Sequence, residues 1–470
     1  MSILGIDLGT GSVKAAVVDD GRVLAKRSRR YDVRAPRPGW AEIDAESWLA
    51  ATQDAAREVL DDPAAGNAVE AVGFSGQMHG VVLTDANLRP LRPAIIWADT
   101  RSVAQAEEMA VVLGPATLSR LGSPAVTGFA ATTLAWLLEN EPGVVAKAAH
   151  VLQPKDWLRA RLGGAVLTDP SDASGTLLCD VRTGTWSAEV VAQWGVDRAL
   201  LPRIASSFER AGEIVIGGQE IRAVVGGADT ACALAGLGLR PGDGFVAVGS
   251  GAQIVSVMDS PILDPSLRTH TFATAGAPGS GWYRIGAVQS AGLVLGPTLA
   301  MLDATVDEAN AALTAGVQPD DPVFVPYLAG ERTPFMDPLM RGWWWGLSIG
   351  TDREALLRSV VEGVAQAVAL GVAAVQESGA SLPDQVPLVG GGTYDPAFRQ
   401  LLADATGLSL AVTEAPDAAV VGAALLAEGR SENPHPPARV TIVEPRPEAA
   451  ELLEERRTTM VRVATTREDS

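Results

Sequence analysis

Thiols are scarce in this chain. Cys179 and Cys232 are the two cysteines in 470 residues, too few for a disulfide framework or a thiolate metal site, and a reducing cytosol fits. Lysine is scarce as well, at Lys14, Lys26, Lys147 and Lys155, and the arginines that supply the other basic residues form no stripe. With 37 basic against 56 acidic residues the net charge is −19. Nucleic acid and anionic membrane are therefore not expected partners, since both need a cationic face. The four histidines (His79, His150, His270, His435) are scattered, which argues against a multi-histidine metal site. No apolar run reaches about 18 residues, so no membrane span is expected. The opening MSILGIDLGTG has neither the basic n-region nor the apolar h-region of a signal peptide, and a cytoplasmic location is the expectation. Missing motifs narrow the chemistry further: there is no GxxxxGK[ST], no GxGxxG opening a helix, no HExxH and no GxSxG elbow.

What is present is a globular composition, 47% hydrophobic and 20% charged, in a chain long enough for two or three domains at roughly 100–200 residues each. The start alternates strand-like runs with tight turns: Ile3 to Leu8, a turn at Gly9-Thr10-Gly11-Ser12, Val13 to Val18, a turn at Asp19-Asp20-Gly21, then a third run from Arg22. A helix is expected from Asp44, an N-cap residue, and a strand over Val69 to Ser75. A similar unit returns later. Phe245 to Val248 is strand-like, Gly249-Ser250-Gly251 turns, and Ala252 to Met258 runs back. Two α/β domains of related design follow, with the boundary near residue 240: residues 1–240, residues 241–430, and a peripheral tail over 431–470. Thr351 to Glu354 has capping-box form at the start of a long helix reaching about Ser378, and a tail helix is expected over Pro447 to Arg462.

Three glycine turns follow strands, at Gly9 to Ser12, Gly249 to Gly251 and Gly390 to Gly392. Glycine lets backbone N–H groups close on an anion, and Thr10, Ser12 and Ser250 add hydroxyl donors. Each turn taken singly is also an ordinary hairpin device. Two aspartates end strands beside such turns. Asp7 precedes the first turn, where a carboxylate can hold Mg²⁺ through water. Asp229 follows Gly226-Gly227-Ala228 and opens a helix, where it can either cap that helix or accept a hydroxyl proton.

These residues, with others in order, resemble the FGGY carbohydrate kinases, and within them the xylulokinases. The segments are Gly5-Ile6-Asp7-Leu8-Gly9-Thr10, Ser75-Gly76-Gln77-Met78-His79-Gly80, Ile95-Ile96-Trp97-Ala98-Asp99-Thr100-Arg101, Leu152 to Leu158, Gly226 to Asp229, Gly249 to Gly251, Gly330-Glu331-Arg332-Thr333-Pro334 and Gly390 to Gly392. The resemblance spans residues 2–430 and implies two actin/hexokinase-like (ribonuclease H-like) α/β domains with a cleft between them. It implies transfer of the ATP γ-phosphoryl group to a pentulose, D-xylulose giving D-xylulose 5-phosphate. In that reading residues 1–240 carry the sugar site and first phosphate motif, and residues 241–430 the nucleotide. Asp229 is the general base, and Asp7 the catalytic carboxylate that anchors Mg²⁺. Gln77, Met78, His79 and Trp97 join Asp229 on the sugar. Gly9, Thr10, Gly11, Ser12, Gly249, Ser250 and Gly251 hold the phosphates, and Gly390, Gly391 and Gly392 face the adenosine. A homodimer is implied by the resemblance alone.

The sequence departs from the family in three places, at Gly249 to Gln253, Thr127 to Thr132 and Ala291 to Leu295. These leave open a kinase for another ketose or polyol, such as ribulose, a deoxy-ketose or erythritol. A non-catalytic nucleotide-binding scaffold is the reading from another class. Trp343-Trp344-Trp345 is expected to pack in the core or at a hinge, Glu331 and Arg332 to form a structural ion pair, and Cys232 to be core.

Overall fold

The computed structural model describes residues 2–66 and 68–466. Its first half is built on β1 (Ser2–Leu8), β2 (Ser12–Asp19), β3 (Arg22–Arg30), β4 (Ala71–Gly76), β5 (Arg210–Ile216) and β6 (Gln219–Val224). They lie in the order β5-β6-β4-β1-β2-β3, with the two-residue strand Gly227–Ala228 beside β4. β1 to β3 form an antiparallel meander, whereas β4 and β6 run parallel to β1. The second half repeats this around β7 (Gly244–Val248), β8 (Ala252–Met258), β9 (His270–Ala273), β10 (Trp282–Val288), β11 (Gln385–Val389), β12 (Ser409–Thr413) and β13 (Arg439–Val443), ordered β9-β10-β8-β7-β11-β12-β13. Again a hairpin, β7–β8, sits beside strands parallel to its first member. The echo of strand, glycine turn and strand is thus a repeated topology. The two halves are actin/hexokinase-like domains with a cleft between them.

The helices that matter here are α1 (Ala45–Leu60), α2 (Pro154–Arg161), α3 (Pro170–Ser174), α4 (Asp229–Leu237), α5 (Gly292–Met301), α6 (Arg353–Glu377), α7 (Pro396–Thr406), α8 (Ala418–Ala427) and α9 (Pro447–Thr465). α1 starts as its sequence predicts: the Asp44 carboxylate accepts the Glu46 N–H. The long helix starts one residue later than the capping-box reading, because Asp352 is the N-cap and accepts the Ala355 N–H at 2.8 Å. α6 has the length and apolarity of a membrane span, yet 89% of its most apolar window is buried inside the protein. It is the central helix of the second domain's core, with Val360, Val361, Val364 and Val368 all buried.

Two expectations fail here. Residues 431–466 are not peripheral: β13 extends the second sheet beside β12, and α9 buries Leu453, Met460 and Val463 in the same core as α6. Arg456 of α9 is buried against Glu362 and donates to the Asp321 and Pro322 carbonyls. That part of the tail looked peripheral because its Glu and Arg content hides a minority apolar face. Residues 467–470 lie outside the described residues. The tryptophan run also divides. It forms a strand, so its side chains alternate: Trp344 packs on Phe324, with ring centroids 4.7 Å apart, while Trp343 and Trp345 are exposed. Cys232 is fully buried, as expected.

α8 links the halves. It lies in the second half of the sequence but covers the first sheet, where Val420, Val421, Ala424 and Leu425 join Ile3, Val18 and Ala71 in one apolar cluster. The approach is close enough to require glycine. A Cβ on Gly73 of β4 would lie 1.8 Å from the Ala423 carbonyl oxygen.

Candidate active site

The acidic residues converge because three parallel strands end together. In register, Asp7 of β1 lies beside Ser75 of β4, and Ser75 lies beside Gly227, two residues before Asp229. In open α/β sheets such carboxyl ends are where ligands bind. The Ser75 hydroxyl donates to Asp7 Oδ1 at 2.8 Å. Burial holds the Asp7 carboxyl above its usual range despite that hydrogen bond. Asp229 is pushed up to about 6, first by burial and then by the Asp7 charge, with hydrogen bonds from Thr230 opposing. Its carboxylate accepts the Thr230 N–H at 2.6 Å, and Ala228 takes the N-cap position with no side-chain cap. A carboxylate titrating near 6 is ionised at neutral pH yet basic enough to take a proton.

The loop before Asp229 is held from below by a buried charge network. Lys155 Nζ contacts Asp156 (2.7 Å), Asp172 (2.8 Å) and Asp169 (3.0 Å), with all four side chains fully buried. Burial and the neighbouring carboxylates push the Asp172 carboxyl well above its usual value, against the pull of Lys155. Arg159 of α2 donates to Asp156 (2.9 Å) and to the Val225 carbonyl (2.6 Å). Ser171 of α3 accepts the Ala228 N–H at 2.8 Å. Residues 225 and 228 are therefore fixed by α2 and α3. The sequence showed Lys155 and Asp156 inside a motif but gave no sign of partners 14 and 17 residues further on.

Beyond Gly76 and Gln77, His79 sits at φ +73°, a left-handed backbone that few residues other than glycine adopt. Its Nδ1 lies 2.7 Å from the Gly175 carbonyl, which can only accept, so Nδ1 carries the proton and Nε2 is left as an acceptor. Burial lowers its pKa to about 4, keeping the ring neutral. Phe129 stacks on it at 3.9 Å between centroids, and His270, Phe272 and Tyr283 of the second domain continue the aromatic cluster. Met78 is 6% exposed, with its sulfur 3.6 Å from the Tyr283 hydroxyl. Gln77 is buried and donates to the Gly9 carbonyl at 3.2 Å. Trp97 donates from Nε1 to Thr10 Oγ1 at 2.9 Å.

The glycine turns fall into two groups. Gly9 N–H closes the first on the Ser12 carbonyl at 3.0 Å, and Thr10, Gly11 and Ser12 share that turn. In the second group Gly249 N–H bonds to the Gly251 carbonyl at 2.8 Å, with Ser250 exposed between them. Ala247 pairs in parallel with Val389, which puts Gly390 beside the Gly249 turn. Gly390 holds φ +103°, and a Cβ there would lie 2.3 Å from the Val248 carbonyl oxygen. Gly391 and Gly392 follow it, both exposed. The expected ion pair between Glu331 and Arg332 is not formed. Glu331 instead accepts backbone N–H groups of Gln289 (2.6 Å) and Arg332 (2.7 Å), and the Arg332 guanidinium lies 5.6 Å from the Trp97 ring centroid.

Comparison with known proteins agrees with this architecture. Residues 2–236 match the N-terminal domain, and residues 250–428 the C-terminal domain, of the FGGY family of carbohydrate kinases. The chain is 34% identical over 440 residues to a xylulose kinase of Escherichia coli, covering 90% of this chain and 89% of that one. It superposes on the crystal structure of a "xyloylose kinase" from Brucella ovis with a TM-score of 0.91, at 32% identity and 98% coverage of both chains. A gluconate kinase from Lactobacillus acidophilus reaches the same TM-score at 22% identity, covering 99% of this chain and 98% of that one, and so shares the fold. Matched in both halves by sequence and by structure, the chain belongs to the FGGY family of carbohydrate kinases and is an ATP-dependent sugar kinase.

Proposed function

We propose that the chain phosphorylates D-xylulose to D-xylulose 5-phosphate with Mg-ATP in the cytoplasm, using Asp229 as general base. The observation that carries this is Asp229 itself: a carboxylate titrating near 6, at the carboxyl ends of parallel strands, two residues beyond the register position shared by Asp7 and Ser75. The names of the relatives, xylulose kinases at 27–34% identity over about nine-tenths of the chain, support the choice of sugar. The sugar hydroxyl oxygen attacks the γ-phosphorus while Asp229 takes the hydroxyl proton. His79 offers Nε2 to a second hydroxyl, Met78 and Trp97 bound the pocket, and Gln77 holds the first phosphate turn. The turns at residues 9–12 and 249–251 donate to the phosphates, and the one at residues 390–392 faces the adenosine. Donors fixed before the reaction need not reorganise as charge develops.

Asp7 fits a magnesium ion. It is a buried carboxylate with one oxygen bonded to Ser75, and its charge raises Asp229, a repulsion that a divalent cation would relieve. Among the described residues no group of three or more His, Cys, Asp and Glu side chains could hold a metal. Magnesium keeps most of its waters and takes one or two carboxylates plus phosphate oxygens, a demand that a single carboxylate such as Asp7 can meet. When bound, Mg²⁺ supplies neutralisation of phosphate charge.

ADP release with Mg-ATP, measured across D-xylulose, D- and L-ribulose, gluconate, glycerol, erythritol and a no-sugar control, tests the reading. Turnover confined to D-xylulose is expected. Turnover on another sugar alone would retain Asp229 and move specificity to Thr127–Thr132, where Phe129 lies against His79. The shared fold of the gluconate kinase favours testing that second reading. ATP binding without product on any sugar would favour the scaffold, although retention of Asp7 and Asp229 counts against it.

A further inference from the structure

Glu331 and Arg332, adjacent in sequence, reach towards different phosphate turns. The Glu331 carboxylate holds the Gln289 and Ser290 N–H groups, and the residues that follow donate to the second turn: Gly292 N to Gly249 O at 3.0 Å and Leu293 N to Ser250 O at 2.7 Å. The Arg332 guanidinium points the other way, onto the Trp97 ring, whose Nε1 is bonded to Thr10 of the first turn. Arg332 thus lies between the two turns and beside the sugar-side histidines, where its charge helps to keep His79 and His270 neutral. The anion that acts on it is Glu331, and backbone N–H groups already occupy that carboxylate. Among the described residues Arg332 forms no ion pair, and a guanidinium held away from water without one is costly unless an anion arrives to complete it.

We propose that Arg332 is a catalytic residue whose guanidinium binds the phosphoryl group in transit between nucleotide and sugar and neutralises charge on its non-bridging oxygens. The inference rests on reading the cleft as a Mg-ATP-dependent sugar kinase site with Asp229 as base. In the step, a bond forms between the sugar oxygen and the γ-phosphorus as the bond from that phosphorus to the β–γ bridging oxygen breaks. The electron pair leaves with ADP, the hydroxyl proton passes to Asp229, and Arg332 gives and takes no proton. A planar fork of donors suits two phosphoryl oxygens at once, which a lysine ammonium does not match. Glu331 serves as a positioning residue: by binding backbone N–H groups it fixes the segment and leaves Arg332 uncompensated.

The test uses the full-length enzyme. Wild-type turnover, and its loss in Asp229→Asn, establish the underlying reading first; a wild type silent on every sugar, or an active Asp229→Asn, overturns that reading and this inference with it. With the reading in place, Arg332→Ala is expected to lower kcat by about 10²–10⁴-fold while KM for ATP and for sugar stay within about threefold. Added guanidinium ion is expected to restore about tenfold or more of the lost rate, a readout that a purely structural arginine would not give. If Arg332→Ala does not fold, Arg332→Gln, neutral and of similar reach, is judged by the same KM and kcat criteria. A kcat within about threefold of wild type, or a raised sugar KM at unchanged kcat, overturns the proposal.

Discussion

Asp229 titrates near pH 6 in the folded chain because burial and the Asp7 charge both favour its protonated form. Two consequences carry opposite signs. As the proposed base, Asp229 must be ionised to act, so kcat/KM is expected to fall tenfold per pH unit below about 6, with a slope of one proton, because His79 (about 4) stays neutral through that range. For stability, the unfolded carboxyl titrates at 3.8 and the folded one near 6, so the folded state binds the extra proton between these values. Stability is therefore lost as pH rises through that window, and the full cost persists above it. Asp229→Asn removes both the proposed base and the cost. We expect about 10²–10⁴-fold lower kcat, together with a gain of about 1–3 kcal/mol at pH 8 that vanishes below pH 4, read by urea denaturation without nucleotide or metal. Asp7 and Asp229 were legible as candidates because a carboxylate between a strand and a glycine turn is easy to see. Arg332 was misread because its sequence neighbour Glu331 looked like its partner.

Elements rather than single residues hold Asp229 in place. α2 and α3 carry the Lys155, Asp156, Asp169 and Asp172 network, and Arg159 and Ser171 bond to backbone on both sides of Gly226-Gly227. Removing one member of a buried ionic set leaves an uncompensated charge. Lys155→Met is expected to cost about 3–5 kcal/mol in urea unfolding at neutral pH, although methionine fills similar volume. The triple exchange of Lys155, Asp169 and Asp172 for apolar residues of similar size should recover much of that loss, whereas an equal loss in both variants would show that packing, not charge, dominates. The glycine turns and the start of α1 could be read from sequence because turn and cap chemistry is local. The strand alternation of Trp343 to Trp345 could not, since an uninterrupted aromatic run carries no period.

Across the whole molecule, the two halves are not independent, although each has its own sheet. α8 follows β12 in sequence yet covers β1, β4 and α4 of the other half, and Gly73 is the contact that lets it lie so close. Residues 2–236 expressed alone would expose the apolar surface around Ile3, Ala16 and Ala71. They are expected to be insoluble or to lack a cooperative melt, and adding residues 241–466 as a second chain is expected to restore one. A monomeric, cooperatively melting 2–236 fragment would refute the idea that α8 completes that domain. The aromatic cluster of Phe129, His270, Phe272 and Tyr283 likewise crosses between the halves, so packing beside Met78 and His79 depends on both.

By itself the sequence determined the α/β class, the repeated hairpin with its glycine turn, and the acidic and glycine-rich residues at strand ends, because each of these depends on neighbours within a few positions. Tertiary structure decided which charges pair with which, where α8 packs, and that β13 and α9 complete the second domain. Those outcomes depend on contacts between residues far apart in the chain, such as Arg456 with Glu362 and Ala423 with Gly73. Periodicity shows which face of an element is buried and leaves its partner unspecified.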